Sequence, residues 1–178
     1  NSILVFFIFY RLSGNNIIAL ITAALFAVHP LHVESVAWIT ERKDMLYSFF
    51  FLSALLCYLY YRQFAKSKYY YSVIILFILS CLSKASAVTF PLALMLIDYY
   101  YDRKFTLKSF KDKIPYFIIS VTFAIINIAA QYRESFSGIS LEIPDAGILD
   151  RILFVTYNFW FYIFKAILPF NLSAFYPY

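Results

Sequence analysis

Long apolar runs separated by short polar segments dominate this chain of 178 residues. Within each run the apolar residues are continuous, whereas strands of a membrane barrel alternate apolar and polar positions over about ten residues. Continuous runs are typical of helices that cross a membrane. The pattern therefore predicts an all-α fold, a polytopic transmembrane helical bundle of about six to seven membrane helices. In chain order the runs are 3–10, 17–28, 45–61, 70–82, 87–97, 114–130 and 152–168.

Several of these runs are short for a bilayer. A helix needs about 20 residues to cross about 30 Å of hydrocarbon, and the runs 17–28, 70–82 and 87–97 fall well below that length. Short helices with polar interruptions often border a cavity, where their polar groups find protein or water partners. Asn158 and Lys165 interrupt the last run, so we predict that it lies in, or re-enters, the outer interface of the membrane.

Composition excludes a soluble domain. Hydrophobic residues make up 63% of the chain and charged residues 14%, with a mean hydropathy of +0.73, so polar side chains are too few to cover a water-soluble surface. The net charge of +5 does not indicate a nucleic-acid partner, because the basic residues lie between apolar runs and form no basic face. Cys57 and Cys81 lie inside apolar runs and are predicted to be buried thiols.

The distribution of basic residues predicts an orientation. If the runs alternate direction, nine of the fifteen Lys and Arg residues fall on one side, together with most tyrosines, and the positive-inside rule makes that side cytoplasmic. Segments 29–44, 83–88 and 131–151 then lie outside. Segment 102–113 is either an amphipathic helix on the anionic leaflet or a solvated loop. The basic residues of the cytoplasmic side are Arg11, Arg62, Lys66, Lys68, Arg103, Lys104, Lys108, Lys111 and Lys113.

The polar segment 29–44 holds most of the candidate site residues. Pro30 suits the first turn of a helix, since it has no N–H to leave unsatisfied. If 31–61 is one helix, Glu34 and Glu41 share a face about 10 Å apart along the axis. Such a face could hold a metal, a phosphate or a sugar hydroxyl, but a solvated run of paired charges would have the same sequence. Asp44 would lie at the edge of the face that carries Glu34 and Glu41, and Arg42 at its flank.

Two histidines and a lysine complete the candidates. His29 and His32 precede Glu34 with a spacing that invites a zinc site, but Pro30 disturbs the helical geometry and no third ligand follows, so we assign no metal. No cofactor is assigned either, and a divalent metal stays an open alternative. Lys84 interrupts an apolar stretch on the outer side and therefore needs a structural ion pair, a phosphate, or a route to the interface.

Several segments resemble a known family. Residues 25–62, LFAVHPLHVESVAWITERKDMLYSFFFLSALLCYLYYR, are similar to the outer segment of the transmembrane and TPR repeat-containing O-mannosyltransferases and their bacterial relatives, glycosyltransferases of the GT-C class. Leu-Ser-Lys at 82–84, TFPLALMLIDYY at 89–100 and LPFNLSAFYP at 168–177 follow in the same order. Ala85 stands where the family often has Pro after the Ser-Lys pair.

This resemblance implies a transferase that takes a sugar, mannose for the named family, from a polyprenyl-phosphate donor on the outer or lumenal face. Its acceptor would be a protein or a glycan, and its location the bacterial inner membrane or the ER membrane. Residues 1–178 would form part of the transmembrane domain, without the first outer loop, the catalytic acid that precedes Asn1, or the C-terminal TPR repeats. By the same resemblance, Glu34, Glu41, Arg42, Asp44 and Lys84 line the donor side of the cavity, and His29 and His32 form its wall.

The residues themselves leave a second class of function open. A membrane transporter or a non-catalytic membrane module would also contain polar residues on short helices. A transporter is expected to show internal repeats and paired broken helices near the midplane. The segments 17–61 and 87–130 show no self-similarity, and the polar candidates gather at one face. Both observations favour the enzyme.

Overall fold

A computed structural model describes residues 1–102, 112–135 and 148–168, and in these ranges the chain is helical without any strand. Short 3-10 helices connect some of the α-helices, at Pro30–His32, Ile39–Glu41 and Ala85–Thr89. The all-α prediction is confirmed for this part of the chain. The α-helices are α1 Ser2–Ser13, α2 Asn16–Val28, α3 Val33–Ala37, α4 Arg42–Phe64, α5 Ser67–Ser83, α6 Phe90–Asp102, α7 Ile114–Ser135 and α8 Ile148–Ile167.

Local chemistry sets the turns between the first helices. Gly14 ends α1 in the left-handed conformation, with φ of 66°, and its N–H donates to the carbonyl of Tyr10. The side chain of Asn15 then caps α2 by accepting from the N–H groups of Ile17 and Ile18. Ala65 closes α4 in the same left-handed way, with φ of 50°. The chain therefore reverses between α1 and α2 and again between α4 and α5.

The core lies where α4, α5, α6 and the start of α7 meet. Phe77 and Phe90 stack with ring centroids 4.7 Å apart, and Tyr116 closes on both at 6.3 and 6.1 Å. Phe51 of α4 meets Phe90 edge-on at 5.2 Å. Around this core, many large apolar side chains point outward, among them Leu96, which is 65% exposed. An apolar exterior around an aromatic core suits a surface covered by lipid.

Fewer helices reach membrane-spanning length than the sequence predicted. By length and composition, Ile39–Phe64 and Ile114–Gln131 qualify, and Asn16–Val28 with Pro30–Ala37 would form a third span bent by 52°. The prediction of six to seven is therefore not supported in the described ranges. The remaining apolar helices are too short, because turns and polar residues end them early. They are Ser2–Ser13, Ser67–Ser83 and Ile152–Ile167.

The expected single helix over 31–61 is wrong. After α3 the backbone becomes extended at Trp38, with φ −89° and ψ 120°, and a 3-10 turn leads into α4. Glu34 and Glu41 therefore do not share one continuous helical face. The expectation for 152–168 stays a prediction, because α8 is a helix but its depth in a membrane is not determined by its fold. Segments 103–111 and 136–147 and the tail 169–178, with their expected loops, lie outside the described residues.

Helix α4 offers a direct test of the orientation. Its 23 residues extend over about 34 Å, enough to place Lys43 and Lys66 on opposite sides of a bilayer. With Cys57 and Cys81 replaced by alanine, Lys43→Cys is expected to react with an impermeant maleimide from the outer side of sealed vesicles. Lys66→Cys should react only after permeabilisation. Labelling of both positions from one side would contradict the transmembrane placement of α4.

Candidate functional site

An ion pair between Asp44 and Lys84 forms the centre of the predicted site. The Lys84 ammonium lies 2.6 Å from Oδ1 and 2.7 Å from Oδ2 of Asp44, so both carboxylate oxygens accept from one amine. The Lys84 and Asp44 side chains are 33% and 22% exposed. This contact joins the first turn of α4 to the end of α5. It confirms that the 29–44 segment and Lys84 meet at the same end of the helices.

The backbone at Lys84 explains how its side chain reaches Asp44. Helix α5 ends at Ser83, and Lys84 is extended, with φ −155° and ψ 139°, before the 3-10 helix begins. Helix α5 thus ends before position 85 although this residue is alanine, and not the proline that is common there in the family that the sequence resembles. One turn earlier, the hydroxyl of Ser80 donates to the carbonyl of Tyr47 at 3.2 Å. This hydrogen bond ties α5 to α4 directly beneath the ion pair.

The other charges at the start of α4 differ in how far they are engaged. Lys43 lies 3.4 Å from Glu41, a partly exposed pair worth little in water. The side chain of Arg42, the first residue of α4, is exposed and makes no hydrogen bond or ion pair with any residue that the structure describes. Lys84 and Lys43 are therefore each paired with a carboxylate, whereas the guanidinium of Arg42, on the first turn of α4, has no such partner among the described residues.

The two histidines line the same end without forming a metal site in the described part of the chain. His29 Nε2 lies 3.0 Å from the carbonyl oxygen of Ala166 in α8, and its Nδ1 accepts from the Leu31 N–H at 3.3 Å. A carbonyl can only accept, so these contacts require a neutral ring with its proton on Nε2. His32 packs on Phe26 at 4.4 Å between ring centroids. Among the described residues, no group of three His, Cys, Asp or Glu could hold a metal.

The structure places Glu34 only by its backbone, in α3, and its side chain lies outside the described part. The sequence predictions for this end therefore have a mixed outcome. Asp44 and Lys84 are brought together, and the rings of His29 and His32 lie 5.9 Å apart. Glu41 is engaged by Lys43 instead of facing Lys84.

A second charge cluster, which sequence reasoning missed, lies at the other end of α4. Asp98, only 5% exposed, accepts from the hydroxyl of Tyr58 at 2.7 Å and forms ion pairs with Arg62 and Lys113. Lys113 is 3% exposed and its ammonium lies 5.2 Å from the centroid of the Tyr58 ring. From the sequence alone, Asp98 is predicted to pair with Arg103 or Lys104, and both of these lie outside the described residues. A carboxylate in an apolar run needs partners, but the sequence does not show which ones.

Taken together, the two clusters mark the ends of one long apolar helix. Asp44 and Arg62 are separated by 18 positions of α4, which corresponds to about 27 Å along the axis. Between them the helix carries only uncharged side chains. This distance approaches the thickness of the hydrocarbon layer. Helices of spanning length with charges at both ends define a membrane-associated helical protein.

Comparison with known proteins gives the relationship within that class. Over 159 residues, 87% of the chain, it is 29% identical to a protein O-mannosyl-transferase of Caenorhabditis elegans. It is also 52% identical over 44 residues to the human protein O-mannosyl-transferase TMTC1, and 50% identical over 40 residues to the mouse protein O-mannosyl-transferase TMTC3. These matches cover 25% and 22% of the chain.

The similarity concerns only part of each relative. The chain spans 22% of the length of the C. elegans protein, 5% of human TMTC1 and 4% of mouse TMTC3. No protein-family model and no solved structure matches it. The comparisons therefore show weak similarity to part of proteins named protein O-mannosyl-transferases.

Proposed function

We propose that this chain is part of an integral-membrane glycosyltransferase of GT-C type that transfers a sugar, mannose by analogy with its named relatives, to a protein or glycan acceptor. The donor is a polyprenyl-phosphate sugar bound on the outer or lumenal face. One observation carries the proposal: the Asp44–Lys84 ion pair lies at the first turn of α4, and the same turn carries the exposed Arg42, whose side chain has no ion pair among the described residues. The similarity to protein O-mannosyl-transferases supports it.

The chemistry of such a donor explains why cations are needed there. Its phosphate stays at the membrane surface while its polyprenyl chain lies among the lipids. A guanidinium forms short, charge-assisted hydrogen bonds with phosphate oxygens, and these bonds strengthen where water is partly excluded. Arg42 is therefore the main phosphate ligand of the proposal. Both oxygens of Asp44 hold the ammonium of Lys84 in place. Lys84 therefore attracts the phosphate less strongly than Arg42, because the Asp44 carboxylate partly neutralises its charge.

The carboxylates have a different role in the proposal. Glu34 and Glu41 contact sugar hydroxyls, and Asp44 orients Lys84 toward the donor. His29 and His32 form the wall, where His29 connects α2 to α8. None of these residues is assigned as the catalytic acid or base.

Transfer assays on the full-length parent protein test this function. Lys84→Ala is expected to raise the KM for the polyprenyl-phosphate donor several-fold while the protein stays folded and inserted, because the Asp44 pair is partly exposed and adds little stability. Lys84→Arg should recover part of the affinity, since it restores the cation. Glu34→Gln should lower kcat more than donor affinity if its carboxylate contacts the sugar.

Two outcomes would contradict the proposal. Normal transfer by the Lys84→Ala, Glu34→Gln double variant would show that the charges at this end of α4 are a solvated surface. Flux of ions or small solutes through proteoliposomes without any donor, altered by the same substitutions, would indicate a transporter instead.

A further inference from the structure

Three aromatic rings and three cations form a continuous surface at the end of the helices opposite the candidate site. The rings come from the last turns of α4 and the first turn of α5. The cations come from α1, the α4–α5 turn and the first turn of α5. We call this surface the cationic aromatic patch. Its members are Tyr60, Phe64 and Tyr69, with Arg11, Lys66 and Lys68.

The three rings contact one another. Tyr60 stacks on Phe64 with centroids 6.2 Å apart and on Tyr69 at 5.6 Å, and Phe64 meets Tyr69 at 6.2 Å. Phe64 is 46% exposed although it belongs to the cluster. The rings therefore form a small platform at the surface of the molecule, where α4 gives way to α5.

Each cation lies against a different ring of this platform. The guanidinium of Arg11 is 4.4 Å from the Tyr60 centroid, and the ammonium groups of Lys66 and Lys68 are 6.0 and 4.9 Å from the centroids of Phe64 and Tyr69. Such contacts hold a cation near a ring without neutralising its charge.

No carboxylate compensates these three charges within the described residues. Arg11 donates to the side-chain carbonyl of Gln63 at 2.7 Å, which is a neutral acceptor. Lys66 and Lys68 are exposed and form no ion pair with any residue that the structure describes. The two ion-paired lysines at the other end of α4 behave differently, since Lys43 and Lys84 each have a carboxylate partner. The patch thus keeps a concentrated positive charge on an apolar platform.

We propose that the cationic aromatic patch binds the headgroups of anionic phospholipids. Aromatic rings settle at the level of the headgroups, where one face is apolar and the other is wet. Lysines just beyond them reach the phosphates and are attracted to an anionic leaflet. The patch has both components in this order, at the end of a helix of membrane-spanning length. The end of α6 holds Arg11 in place, since the hydroxyl of Tyr101 donates to the backbone carbonyl of Arg11 at 3.0 Å.

Native mass spectrometry of the protein in detergent micelles tests this lipid site. Phosphatidylglycerol and phosphatidylcholine with the same acyl chains are titrated separately, and bound lipids are counted. We expect phosphatidylglycerol to bind more tightly, and Lys68→Gln and Lys66→Gln each to weaken that binding about fivefold. Lys68→Arg should retain it. Lys43→Gln, which also removes one exposed lysine, is the matched control and should change binding less than about twofold. Phosphatidylcholine binding should be unaffected throughout.

Three results would overturn the proposal. Equal affinity for both lipids would show that the charge of the headgroup does not matter. Equal losses of phosphatidylglycerol affinity in Lys68→Gln and Lys43→Gln would show that the lipid does not bind at the patch. Displacement of phosphatidylglycerol by millimolar glycerol phosphate would identify a site for soluble phosphate esters instead of a membrane surface. All the substitutions are at exposed positions, so loss of the fold does not complicate the comparison.

Discussion

Replacing Asp98 by asparagine is expected to lower the free energy of unfolding by about 3–5 kcal/mol. The asparagine would still accept a hydrogen bond from Tyr58, but the buried ammonium of Lys113 would lose its ion pair with the Asp98 carboxylate. Breaking a buried pair on one side is costly because the remaining charge stays out of water. Thermal unfolding of the detergent-purified protein, followed by circular dichroism, measures the loss.

The matched control is Asp44→Asn, which breaks the partly exposed pair with Lys84. That change should cost at most about 1 kcal/mol. Adding Lys113→Met to Asp98→Asn should return part of the lost stability, since it removes the buried charge that Asp98 pairs with in the native protein. If Asp98→Asn is no more damaging than Asp44→Asn, the Asp98 cluster does not hold the helices together in the way described.

Replacing Arg42 by glutamine in the full-length parent protein is expected to reduce kcat/KM for the polyprenyl-phosphate donor about ten- to a hundredfold. Hydrogen bonds to a charged group contribute about 1.5–3 kcal/mol, and each 1.4 kcal/mol corresponds to about tenfold. The effect should exceed that of Lys84→Ala, because Lys84 already shares its charge with Asp44. Initial transfer rates at varied donor concentration separate KM from kcat.

Lys43 provides the control for this experiment, since it is the neighbouring cation on the same turn. Lys43→Gln should change kcat/KM less than about twofold, because Lys43 is exposed and already engaged by Glu41. Equal losses from Arg42→Gln and Lys43→Gln would mean that the start of α4 acts only through its overall charge.

The parts of the fold that the sequence predicted follow from local patterns. Gly14 and Asn15 mark the turn between α1 and α2, and the interruption at Lys84 marks the end of α5. That Lys84 meets the 29–44 segment followed from the alternation of helices, because a charge in an apolar run has to find a partner at the nearest polar end.

The features that were missed depend on distant parts of the chain. The prediction of a continuous helix over 31–61 was wrong at Trp38, where the backbone is extended although no proline or glycine there indicates a break. The Asp98 cluster joins residues 36 and 40 positions apart, Arg62 and Tyr58, to the carboxylate. Helical periodicity relates residues three or four positions apart and has no means of indicating such a contact.

The Asp98 cluster also constrains how the chain enters the bilayer during its synthesis. The ribosome completes Tyr58 and Arg62 well before Asp98, and Lys113 follows only 15 residues after it. An aspartate at the centre of a membrane helix disfavours insertion by about 2.5–3.5 kcal/mol, and less near its ends. If α6, with only 13 residues, enters the bilayer, it gains a compensating partner by leaving the insertion machinery beside α4. Its insertion would then depend on α4 as well as on its own hydropathy.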